Sequence, residues 1–103
     1  MQIKTKVYNN SLYVLLIGEL DECCAPYVRT SLDKTFEVEK RFNKVIFDLS
    51  QLDFMDSTGI GVMIGRYKKL QSRNIPIYII NPSNQAEKIF KMSGLYDIMP
   101  KIS

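Results

Sequence analysis

Histidine is absent from this 103-residue chain. That removes imidazole general-base catalysis, phosphohistidine relays and His-ligated metals. Cysteine is scarce: only Cys23 and Cys24 occur, side by side. Sequence neighbours rarely close a disulfide, because the ring is strained. Two soft ligands are also too few for a structural zinc site. The pair reads as reduced cysteines at a helix start. No apolar run is long. The longest, Leu12 to Ile17, falls far short of the ~20 residues that span a bilayer. The N-terminus alternates polar and apolar residues and lacks the basic region and apolar block of a signal peptide. A cytoplasmic protein without a membrane partner is expected. Neither Gly-x-x-x-x-Gly-Lys-Ser/Thr nor Gly-x-Gly-x-x-Gly occurs. Net charge is low, +3 from 14 basic and 11 acidic residues, with the basic ones dispersed. The densest group, Arg66, Lys68, Lys69 and Arg73, reads as the wet face of one helix, so direct nucleic-acid binding is not expected.

What is present suits one domain over residues 1–103. Hydrophobic residues make up 46%, enough for a single core. Ile3, Thr5 and Val7 alternate with Gln2, Lys4 and Lys6, as in a half-buried edge strand. Asn9 and Asn10 supply a turn, and a second strand, Leu12 to Ile17, ends at Gly18. A helix from about Cys24 to Phe36 carries Pro26 in its first turn and an apolar stripe of Ala25, Val28, Leu32 and Phe36. The continuous run Val45-Ile46-Phe47 in a third strand, Lys44 to Leu49, predicts cover on both faces. After a loop, Ser50 to Met55, a second helix runs from Ser57 to Gln71, with Ile60, Met63, Ile64, Tyr67 and Leu70 at helical spacing and Asn74 as stop. The fourth strand, Ile75 to Ile80, contains Pro76, which places it near an edge or a strand start. Asn81 and Pro82 open a third helix with Ala86, Ile89, Phe90 and Met92 as core candidates, closed by Gly94 with Leu95 folding back. Tyr96 to Ser103 form a short tail. The order β-β-α-β-α-β-α predicts an α/β domain with a mixed, mainly parallel sheet of four to five strands. Its functional loops should lie at the carboxyl ends of the strands, Gly18 to Glu22 and Ser50 to Gly59.

The second of these loops carries the chemistry. Asp56 is a natural N-cap. Ser57 then stands at the first helical position, where free amides and the helix dipole favour an anion. A phosphoryl group there would add about −1.5 to −2 charge and change the surface without unfolding the helix. By pattern alone an ordinary first-turn serine is the better account of Ser57. Gly59, Gly61 and Gly65 weaken the helix by up to about 1 kcal/mol each. Close backbone packing is the expected reason for Gly61 and Gly65, whereas Gly59 sits beside the candidate acceptor.

The block Phe54-Met55-Asp56-Ser57-Thr58-Gly59-Ile60-Gly61-Val62-Met63-Ile64-Gly65-Arg66-Tyr67-Lys68 closely resembles the signature of the anti-sigma factor antagonists, in particular the stage II sporulation protein AA family. Gly18-Glu19-Leu20-Asp21 resembles the family's first loop, and Met92-Ser93-Gly94-Leu95 its late helix end. The resemblance implies a STAS fold with helices largely on one side of the sheet. It implies that Ser57 is the acceptor for a serine kinase that is also the anti-sigma factor. The unphosphorylated antagonist would bind that kinase and free the sigma factor. Phosphorylation would end binding, and a PP2C-type phosphatase would restore it. Asp21, Asp56, Ser57, Thr58 and Gly59 are the expected partner contacts. No catalytic residue, cofactor or metal is implied. Thr58 departs from the pattern, since near relatives carry a second serine there, and it is a rival acceptor. The sequence ends at Ser103, before the last helix that many members carry.

Two other readings compete. A receiver-like phosphoacceptor would use Asp48, Asp53 or Asp56, with Glu19, Asp21 and Glu22 as acidic partners, but no lysine follows Ile80 at the required place. A nucleotide-binding signalling module would need a phosphate cradle that Gly59-Ile60-Gly61, inside a helix, does not provide.

Overall fold

A computed structural model of the chain describes residues 1–102. Strands β1 (Gln2–Tyr8) and β2 (Ser11–Leu20) form an antiparallel hairpin. Asn9 and Asn10 both take the left-handed conformation, φ 51° and 63°, which gives a two-residue turn the twist of its strands. Then follow α1 (Ala25–Val38), β3 (Lys44–Asp48), β4 (Leu52–Met55), α2 (Ser57–Gln71), β5 (Ile77–Ile80) and α3 (Asn84–Ser93), closed by a 3₁₀ turn at Leu95–Asp97. The sheet order is β1-β2-β3-β5, with β4 paired to the far end of β2. Apart from the hairpin, all pairings are parallel.

Several boundaries differ from expectation. The predicted loop Ser50 to Met55 holds β4, so the order is β-β-α-β-β-α-β-α. Four residues are too few for a period to show. Gly18 does not end β2. Its φ of 112° accompanies a register shift between Gly18 and Glu19, and the strand continues to pair with β4. Strand β5 begins at Ile77, because Pro76 cannot donate to the ladder. Helix α3 opens not at Asn81 but at Ser83, whose hydroxyl accepts from the Ala86 amide at 3.1 Å. Gly94 closes that helix at φ 76°, and Leu95 is buried behind it.

The core lies between one face of the sheet and the helices. Leu12, Val14 and Leu16 of β2, Val45 and Phe47 of β3, and Ile77 and Ile79 of β5 meet Ala25, Val28, Leu32 and Phe36 of α1. From α2 come Val62, Met63 and Leu70, and from α3 Ala86 and Phe90. The predicted stripe of α1 is buried throughout. Helix α2 is rotated slightly from its expected face, so that Ile60, Ile64 and Tyr67 are only half-buried. Met92, a core candidate, is 84% exposed. The apolar run of β3 is buried on both sides, as expected: Val45 and Phe47 lie in the cluster under the helices, and Ile46, on the other face, is 4% exposed.

Arg66 is not on a wet face. It is 5% exposed, and its Nε lies 3.1 Å from Asp33 Oδ1 of α1. Lys69 Nζ reaches the other oxygen of Asp33 at 2.7 Å. Burial pulls the Arg66 guanidinium below its ordinary pKa, Asp33 pushes it back, and Arg29 adds to the lowering. The pair ties α1 to α2.

The tail is fixed by polar contacts. The amide of Ile79 donates to the Pro100 carbonyl at 2.9 Å, and that of Ile102 to the Ile79 carbonyl at 3.0 Å, so the tail lies along β5. Lys101 Nζ donates to Glu87 Oε2 of α3 at 2.8 Å. Lys101 first, and the Tyr96 hydroxyl second, hold the Glu87 carboxyl below its usual range. Burial first and Glu87 second push the Tyr96 phenol well up. A carboxyl with a lowered folded pKa contributes above its unfolded value, about 4.3, and loses that contribution as pH falls through the folded value. Protection of the Ile102 amide against hydrogen exchange, corrected for intrinsic rate, is therefore expected to fall below about pH 4. Glu87→Gln should lower it already at neutral pH.

Candidate functional site

The carboxyl ends of β2 and β4 and the first turn of α2 converge. Asp56 caps α2: its Oδ1 accepts from the Gly59 amide at 2.9 Å, and its carbonyl from the Ile60 amide at 3.0 Å. Its second oxygen, Oδ2, accepts from the Glu22 amide at 3.2 Å. One carboxylate thus joins the loop after β2 to the start of α2. The Asp56 amide completes the junction by donating to the Leu20 carbonyl at 3.3 Å. Asp21 closes the turn that leads into α1, its Oδ1 accepting from the Cys24 amide at 3.1 Å. Cys24 donates its thiol hydrogen to the Glu19 carbonyl at 3.1 Å. Both cysteines are free thiols.

Ser57 is the first residue of α2 and is exposed, and Thr58 behind it is half-buried. Helix geometry leaves the amides of Ser57 and Thr58 without intrahelical partners, and no acidic residue occupies this first turn. An anion on the Ser57 oxygen would meet the positive end of the helix dipole. Each oxygen of the neighbouring Asp56 carboxylate already accepts from one amide.

Of the five predicted contact residues, Asp56 links the two loops to which Asp21 and Ser57 belong. Gly59 is different. It is buried, and a Cβ on it would meet the Leu20 carbonyl and stand 2.8 Å from Met55 Cγ. Gly59 is therefore needed for packing where α2 crosses the ends of β2 and β4. The converse holds for Gly61 and Gly65. Neither has an atom within 4 Å of a Cβ position, so the expected tight packing is absent. Gly61→Ala should raise stability by up to about 1 kcal/mol, read as a higher denaturant midpoint with unchanged slope.

Sequence reasoning missed the Glu22–Asp56 bond and the contact of Gly59 with Leu20. Both join residues more than thirty apart, and no local pattern encodes them. Asp48, on which a receiver-like reading would rest, accepts from the Ser50 amide at 3.0 Å within its own turn.

The fold and site together define a small α/β domain with an exposed serine at a capped helix start. The chain belongs to the STAS domain family, whose model matches residues 2–103. It is 32% identical over 100 residues to an anti-sigma F factor antagonist of Paenibacillus polymyxa, covering 97% of this chain and 85% of that protein. It is 33% identical over 86 residues to an anti-sigma-B factor antagonist of Listeria monocytogenes, covering 84% of this chain and 74% of that protein. Among solved structures, it superimposes on the anti-sigma factor antagonist SpoIIAA in its unphosphorylated form with a TM-score of 0.76. The identity there is 27%, over 99% of this chain and 89% of that one. The phosphorylated form of SpoIIAA gives a TM-score of 0.69 at 28% identity, over 99% of this chain and 92% of that one. Among the described residues, no helix is long and apolar enough to cross a membrane.

Proposed function

We propose that this protein is a cytoplasmic anti-sigma factor antagonist and not an enzyme. Its unphosphorylated form binds an anti-sigma factor serine kinase and releases the sigma factor. Phosphorylation of Ser57 ends that binding, and a PP2C-type phosphatase reverses it. The observation that carries the reading is the exposed Ser57 hydroxyl at the head of a helix whose cap, Asp56, also anchors the neighbouring loop. The named relatives, and a structural neighbour solved in both phosphorylation states, support it.

Phosphate on Ser57 would sit at the helix N-terminus, so the domain should keep its fold. The kinase, however, would face about two negative charges beside Asp56 and Asp21, with their desolvation. The test is the intact mass of the chain after incubation with its cognate kinase and Mg-ATP, beside Ser57→Ala and Thr58→Ala. One phosphate on the wild type and on Thr58→Ala, and none on Ser57→Ala, is the expected result. Phosphate on Ser57→Ala that vanishes in Thr58→Ala would move the acceptor to Thr58. No phosphate on any of them would remove this reading.

A further inference from the structure

The helices pack on one face of the sheet only. Four of its five strands run parallel to one another, and parallel sheets are ordinarily buried on both faces. On the face turned from the helices stand Tyr13, Leu15 and Ile17 of β2, Ile46 of β3, and Tyr78 and Ile80 of β5. None of the six belongs to the cluster under the helices; Ile46 is buried and the other five are half-buried. A half-buried apolar strip with no helix over it can take a partner, which would complete its burial.

The charges on this face are arranged in a row. Lys4 of β1 pairs with Leu15 of β2, and Leu15 with Asp48 of β3. With strands spaced about 4.8 Å apart, Lys4 and Asp48 stand roughly 10 Å apart, one on each side of Leu15. A groove of about 490 Å³ runs here, lined among others by Lys4, Lys6, Tyr13, Leu15 and Asp48. Among the described residues, neither lysine nor Asp48 forms a salt bridge within the chain.

The geometry points to a second copy of this chain as the occupant, with two molecules pairing face to face through this surface in solution. A two-fold axis lying between the sheets along β2 sets Leu15 on Leu15 of the other copy. The same operation places Lys4 of each copy over Asp48 of the other, so the surface complements itself, as an isologous contact requires. Facing sheets pack about 10 Å apart, a gap that a lysine and an aspartate bridge together. An anionic membrane or an acidic peptide would also attract Lys4 and Lys6, but would press negative charge onto Asp48. Only β1, β2 and β3 overlap in this arrangement, so the dimer is a weak one. Ser57 opens a helix on the opposite side of the sheet and stays accessible, so the pairing does not depend on the proposed kinase switch.

Sedimentation of the full chain up to about 1 mM, the range a small interface needs, should show the mass doubling. Lys4→Asp and Asp48→Lys should each weaken the dimer by about tenfold or more, since each turns both cross-pairs repulsive. An equimolar mixture of the two variants should dimerise again, because both pairs are restored in the mixed species. Leu15→Glu, at the axis and outside the core, should abolish pairing. It covers the case in which Asp48→Lys, losing its bond from the Ser50 amide, fails to fold. A monomer at every concentration overturns the inference. So does a dimer indifferent to Leu15→Glu, or a folded variant pair that does not re-form a dimer on mixing.

Discussion

Ser57→Asp is expected to bind the anti-sigma factor kinase more than a hundredfold more weakly than the wild type, while Ser57→Ala binds about as well. A penalty of about 3 kcal/mol gives that ratio. It arises from a charge introduced where Asp56 already holds one, at a surface that must be desolvated on binding. Isothermal titration of kinase with each variant measures it. Thermal unfolding of the same variants should differ little, because a negative group at the first position of α2 is favoured by the free amides of Ser57 and Thr58. Tight binding by a folded Ser57→Asp would contradict a charge-based switch at this position. Equal loss by Ser57→Asp and Ser57→Ala would mean that the hydroxyl itself makes the contact.

Gly59→Ala is expected to destabilise the domain by about 3 kcal/mol, the upper range for overpacking. The added methyl meets the Leu20 carbonyl and Met55, and a backbone carbonyl at a strand end cannot rotate away as a side chain can. Relief requires α2 to lift from β2, and that would stretch the Asp56–Glu22 and Asp56–Leu20 bonds. Urea unfolding should show a lower midpoint. Kinase binding should weaken as well, through the displaced Ser57. Set beside Gly61→Ala, which should stabilise, this variant separates a glycine required for packing from one that is not, two positions apart on the same helix.

Much of this domain is written in local pattern. The lysine alternation of β1, the two asparagines of the first turn, the stripe of α1 and the closing Gly94 each rest on the chemistry of a few adjacent residues. The cap at Asp56 and the exposure of Ser57 are local in the same sense: a carboxylate before a serine at a helix start satisfies a first-turn amide with no help from elsewhere. Composition alone made a histidine-based site impossible.

The rest depended on which distant segments meet. Arg66 reads as a surface residue in a basic helix, and only the approach of α1 with Asp33 turns it inward. Strand β4 exists because the end of β2 offers four residues a ladder that their own sequence does not announce. The glycines of α2 look alike along the chain, yet only Gly59 lies under a foreign carbonyl. The apolar run of β3 correctly announces an apolar environment for both faces of the strand, but not what supplies it. The helices cover Val45 and Phe47, while Ile46 on the other face is buried without them. A sequence fixes which side chains seek burial and which backbone angles are allowed. It is the contact between segments thirty residues apart that decides which of them find it.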